Sequence, residues 1–162
     1  MISYSTPAMV TLGDSERAKD IARFLHEIVE SLRLLGSDFD VQVSVLPKFV
    51  HIPDEIALTF GDAFLLADQV LSAGQITQPQ YSKLKEIDDA LDGMSGHDHA
   101  ELWTLEAMQN GPEWKRLRSM ARAALLELGA PLLRPNLDWF AYASSRVADN
   151  PLGGIDFGPE EP

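Results

Sequence analysis

Cysteine is absent from this 162-residue chain, and that gap removes disulfide staples, zinc–thiolate sites and thiol nucleophiles together. Long hydrophobic runs are missing too. The richest late apolar stretch, AALLELGAPLL, is broken by Glu127, Gly129 and Pro131 and is far too short to span a bilayer. The start, MISYSTPAMV, has no basic n-region and no sustained apolar h-region, so a secretory signal is not expected. No Gly-rich phosphate loop, His-Glu-x-x-His motif or pair of Glu-x-x-His helices occurs. Positive charge is scarce: 13 Lys and Arg stand against 25 Asp and Glu, a formal net charge of −12. A field of that sign repels nucleic acid and anionic lipid and attracts cationic partners. These absences predict a soluble protein of a reducing cytoplasm, with no cofactor, no resident metal and no nucleic-acid or membrane partner.

What is present suffices for a globular domain. The length suits one domain with one core, and a hydrophobic fraction of 45% argues against wholesale disorder. Helical periodicity dominates. After Asp14 and Glu16, the apolar positions Ala18, Ile21, Phe24, Leu25, Ile28, Val29, Leu32 and Leu35 follow i, i+3, i+4 steps up to a terminal Gly36. Pro53, Asp54 and Glu55 make a good first helical turn, and a stripe from Ile56 to Leu71 runs to Gly74. Thr77 and Gln80 have capping-box spacing ahead of Tyr81, Leu84, Ile87 and Leu91, with Gly93 closing the helix. Asn110-Gly111-Pro112 is both a stop and a start. It precedes a helix with Trp114, Leu117, Ala121, Ala124, Leu125 and Leu128 inward, ended by Gly129 and Pro131.

FDVQVSV, Phe39 to Val45, instead alternates with period two and reads as a half-buried strand, to be paired with ISYST or AMVTL near the N-terminus. NLDWFAYASSRVADN is a candidate short helix, and the last stretch, PLGGIDFGPEEP, reads as mobile. The expected fold is therefore mainly α: a bundle of about five or six helices, with a minor strand region near residues 2–12 and 39–46. Residues 1–130 would form a single helical domain, and 131–162 a partly ordered C-terminal extension.

Charge is uneven along the chain. Between His51 and Asn110 the only cations are Lys83 and Lys85, against eleven Asp and Glu; Lys115, Arg116, Arg118 and Arg122 then reverse the sign. The acidic block reads either as a solvated surface that maintains solubility or as a docking face. On the helix from Thr77, Asp88 and Asp92 stand four apart, on one face. Asp88, Asp89 and Asp92, with Asp98 and Glu101, are the candidate partner-binding residues.

Two chemical motifs compete with that reading. MSGHDHAELWT, Met94 to Thr104, holds His97 and His99, but residues two apart diverge on a helix and lack metal-ligand spacing. Ser95 with Asp98, or Asp98 with Glu101, fits a capping box at a helix start instead. Gly13-Asp14-Ser15 resembles the nucleophile block of GDSL-type esterases, which would make Ser15 the nucleophile and Gly13 part of the oxyanion hole. The Asp-x-x-His block of that family is missing here, as is its strand–helix alternation.

The run from Met94 to Gly129 is similar to small acidic helical immunity proteins of bacterial toxin–immunity systems. The likeness rests on Leu102, Trp103 and Thr104 at one helix start, then on Pro112, Glu113, Trp114 and Arg118 in the next helix. It extends weakly to IPDEIALTF and covers neither the first fifty residues nor the tail. The resemblance implies a cytoplasmic, non-enzymatic inhibitor that occludes a cationic toxin, often a nuclease, with acidic side chains standing in for phosphates. Within this frame Trp103 and Trp114 read as core or interface anchors, and Arg118 as a structural residue stacked on Trp114. Two alternatives stay open: a regulatory or scaffold domain binding through an apolar groove, and a small hydrolase using Ser15 or a His97/His99 metal site.

Overall fold

A computed structural model describes residues 12–140. They form a mainly α bundle of seven helices and one 3₁₀ turn: α1 (Leu12–Gly36), α2 (Phe39–Val45), α3 (Ile52–Phe64), α4 (Ala67–Ser72), α5 (Gln78–Gly93), the 3₁₀ turn (His97–Leu102), α6 (Leu105–Asn110) and α7 (Pro112–Leu128). No strand occurs among the described residues, and none of their helices is long and apolar enough to cross a membrane. α1 is the spine. It packs on α3, α4 and α7, while α7 also carries α5 and α6. Its stripe buries Ile21, Ile28, Leu32 and Leu35, and towards the C-terminus Leu34 joins them, so that end is enclosed on every side.

A buried helix end needs partners for its last four carbonyls. Here side chains supply all of them. Ser37 Oγ donates to Arg33 O at 2.6 Å. Gln42 Nε2 donates to Leu34 O at 3.1 Å and Leu35 O at 3.0 Å, and Arg122 Nε donates to Gly36 O at 2.6 Å. Gly36 is thus not a left-handed cap: a Cβ there would stand 3.3 Å from Ala121 Cβ and Arg122 Cγ, so its bareness lets α7 approach α1.

The same network corrects the strand expected at 39–46. Phe39–Val45 is a helix whose Phe39, Gln42, Val43 and Leu46 turn inward at i, i+3, i+4 and i+7. In a strand, the period-two pattern would leave Gln42 outside. In the helix Gln42 is fully buried and caps α1, so a tertiary requirement overrides the β-propensity of Val41, Val43 and Val45. The proposed partner segments at 2–12 fall on residues 1–11, outside the described residues, and on residue 12, which opens α1.

The helix expected from Pro53 to Gly74 is two helices, broken at Leu65 and Leu66. No Gly or Pro marks the bend, which places Ala67 and Val70, both fully buried, in the core beside α1. Gly74 (φ 77°) and Gly129 (φ 73°) do end helices in the left-handed region. In each case the 6→1 and 5→2 bonds of a Schellman cap are present: Gln75 N to Val70 O at 3.1 Å and Gly74 N to Leu71 O at 2.9 Å, then Ala130 N to Leu125 O at 3.0 Å and Gly129 N to Leu126 O at 3.1 Å. The Thr77–Gln80 capping box forms as its spacing predicts. Gln80 also reaches Glu127 O at 2.9 Å, tying the start of α5 to the end of α7.

Beyond α7, residues 131–140 lie as an irregular strap over α1 and α2. Glu30, buried in α1, accepts from Arg33 Nη1 at 2.6 Å and from the Asn136 amide at 2.8 Å. Arg33 Nε donates to Pro131 O at 3.0 Å, and Arg134 reaches Ser44 Oγ at 3.2 Å. Its own Leu137 and Phe140 are buried. Of the short helix considered at NLDWFAYASSRVADN, residues 136–140 make a turn; the remainder, like PLGGIDFGPEEP, lies outside the described residues.

Candidate functional site

α5 turns Leu84, Ile87 and Leu91 into the core, which forces its acids outward. Asp88 and Asp92 share a face, and Asp89 lies beside them. A carboxylate oxygen from each of the three falls within 4.8 Å of the other two. Burial, and then the charge of Asp92, pushes the Asp88 carboxyl above the usual aspartate range. Among the described residues one cation moderates the group: Lys85 donates to Asp89. The trio also occupies the C-terminal half of α5, where the helix dipole disfavours negative charge and the last turn holds no basic residue. Apart from the Lys85–Asp89 pair, crowding and the helix dipole both work against these acids at this place.

Asp89 also faces a cleft of about 650 Å³ between α5, the 3₁₀ turn and α7. Glu86 and Asp89 line it from α5, and Glu113 and Arg116 from α7; His99 and Leu102 reach it from the turn, over Met94 and Met120. Leu102 and Glu113 also border a second depression of about 350 Å³, which holds Glu101 and Glu106. The two hollows therefore make one continuous acidic surface, in which Arg116 is the only Lys or Arg among the described residues that lines either.

Two indoles hold this corner in place. Trp103 Nε1 donates to Met94 O and Trp114 Nε1 to Leu102 O, each at 2.7 Å, so the 3₁₀ turn is pinned at both ends. The rings meet edge to face at 5.5 Å. Thr104 caps α6 through the Ala107 amide at 3.0 Å. Gly111 is needed where α6 meets α7, because a Cβ would sit 2.5 Å from Ala107 O. Arg118 is buried as a structural residue, but by hydrogen bonding rather than by stacking on Trp114. Its Nη1 reaches Gln42 Oε1 at 3.1 Å and its Nη2 reaches Met108 O at 2.7 Å. Burial, then Arg122, lowers its pKa from the usual arginine value.

The structure thus brings Asp88, Asp89 and Asp92 together. It places Asp98 and Glu101 apart from them, exposed on the 3₁₀ turn, with Glu101 in the second hollow. Glu86, Glu106 and Glu113 join the surface without having been singled out by sequence. Glu86 shares the Asp89–Gly93 row of α5, a legible signal, but the approach of α7 was not legible. The segment at His97 is a 3₁₀ turn, not a capped α-helix start. Its leading residue, Gly96, has φ 105° and no side-chain cap, and Ser95 Oγ bonds back to Leu91 O at 3.0 Å. His97 is exposed and His99 half-buried. Among the described residues, the one group of three ligand-type side chains is the aspartate trio. Ser15 is exposed in the first turn of α1, not on a strand-to-helix elbow. Compared with protein-family models, curated proteins and solved structures, the chain matches none.

Proposed function

We propose that this chain is a non-enzymatic acidic binding protein of the cytoplasm, an immunity-type inhibitor that occludes a cationic toxin surface with the face built on α5, the 3₁₀ turn and α7. One observation carries this reading. Three mutually repelling aspartates sit at the negative end of a helix, beside an acidic cleft, with Lys85 paired to one of them. Such a group opposes folding and adds to the field that draws in a cationic partner.

The test is capture from the native host's lysate on the wild-type chain and on an Asp88→Asn/Asp89→Asn/Asp92→Asn variant, washed at low and then at high salt. The reading expects a basic protein that salt releases, that the variant loses, and whose toxicity co-expression of the wild type suppresses. A partner held equally by the variant through high salt would sink it. That result would favour a second reading, a scaffold domain binding through an apolar groove. The depression of about 400 Å³ lined by Ala57, Leu58 and Trp103 supports that alternative.

A further inference from the structure

The cleft between α5 and α7 is not uniformly polar. At its base lies Met94, 6% exposed, flanked by the half-buried Leu102 and Met120, with Ala90 on the α5 wall. Above that base the charged groups stand on both walls: Glu86 and Asp89 on one, Glu113 and Arg116 on the other. Thioether side chains are unbranched and polarisable, so a floor carrying two of them can close around apolar groups of differing shape. The volume, about 650 Å³, falls within the range of pockets that enclose small ligands, so it has room for a large side chain. The trio on the outer side of α5 continues the acidic wall through Asp89.

We propose that this cleft seats one large apolar side chain of a basic protein segment on Met94, Leu102 and Met120, with lysines or arginines flanking it held by Glu86, Asp89 and Glu113. The inference rests on reading the acidic face as the partner-binding face. It adds a division of labour: the carboxylates speed encounter, and the buried anchor sets the dwell time. Arg116 sets the orientation, since a partner cation placed against it is repelled.

The test uses the full chain with ¹³C-labelled methionine methyl groups, assigned by Met94→Leu, Met108→Leu and Met120→Leu substitutions. The probes are two synthetic basic peptides identical except at the centre, one carrying tryptophan and the other alanine between flanking arginines and lysines. The tryptophan peptide is expected to shift the Met94 and Met120 methyl signals saturably. Met108, fully buried elsewhere in the core, stays unmoved. Replacing tryptophan by alanine weakens binding by about tenfold or more, the factor that roughly 1.4 kcal/mol of lost apolar burial gives. If both peptides bind equally and leave Met94 and Met120 unshifted, the anchor is refuted while the acidic face stands. If neither binds at low salt, both readings fall.

Discussion

Charge is used in opposite ways on two sides of this molecule. Around the C-terminal end of α1, charged groups are bonded into the fold. Glu30 holds Arg33 and the Asn136 amide, Arg122 caps Gly36 O and meets Asp38 at 2.7 Å, and Arg118 bridges Gln42 and Met108 O. On the outer side of α5, three aspartates crowd together, with Lys85 as their one ion-pair partner among the described residues. The first set satisfies groups that would be costly to leave unpaired, whereas the second repels itself. Removal should therefore act on different properties on the two sides: loss of stability around α1, and loss of binding without loss of stability on α5.

The largest expected effect is at Arg118. Arg118→Ala strands two buried acceptors, Gln42 Oε1 and Met108 O, and should cost about 3 kcal/mol in urea unfolding. Arg118→Met, which keeps an apolar stem without donors, should recover the packing share alone. Full recovery by Met would show that the hydrogen bonds add nothing. Next comes Glu30→Ala, which leaves Arg33 Nη1 and the Asn136 amide without their acceptor, at about 2 kcal/mol. Because the strap loses its Asn136 anchor, chymotryptic cleavage after Trp139 should accelerate; an unchanged rate would mean that the Arg33–Pro131 and Arg134–Ser44 bonds, with buried Leu137 and Phe140, suffice to hold it.

Smaller changes in stability follow on α5. The Asp88→Asn/Asp89→Asn/Asp92→Asn variant should unfold within about 0.5 kcal/mol of the wild type, or later. Its association with a basic peptide at low salt should slow about tenfold. A destabilised variant would move these aspartates into the structural set. The smallest effect is that of Asp88→Asn alone. Burial and Asp92 hold the Asp88 carboxyl above its ordinary range, so the folded state binds that proton more tightly than the unfolded chain. Its stabilising contribution is full below the unfolded aspartate pKa and is lost as pH rises through the raised one. The substitution should therefore raise the melting temperature slightly at neutral pH and lose that advantage in acid. Melting curves at the two pH values decide it.

Legibility in the sequence followed the range of the forces involved. The stripes of α1, α5 and α7, the Thr77–Gln80 box, the Asn110-Gly111-Pro112 junction and the left-handed Gly74 and Gly129 depend on residues within a few positions of one another. All could be read directly. The break at Leu65 and Leu66, the close-contact role of Gly36 and the partners of Arg118 depend on elements distant in the chain. None of these left a local mark. Asp88, Asp89 and Asp92 were readable as neighbours on one helix. Their junction with Glu86, Glu113 and the Met94–Met120 floor was not, because it exists only where α7 passes α5.

By itself, then, the sequence determined a mainly α chain, the faces its long helices bury, and a strongly acidic outer side of α5. Each of these is fixed by periodicity, capping and covalent neighbourhood. Only the tertiary structure decided that FDVQVSV is a helix, that the carbonyls ending α1 are capped by Ser37, Gln42 and Arg122, and that the acids border a cleft with an apolar floor. The physical reason is common to all three. A buried polar group or an apolar floor takes its energy from what lies opposite it, and only packing brings the opposite side into place.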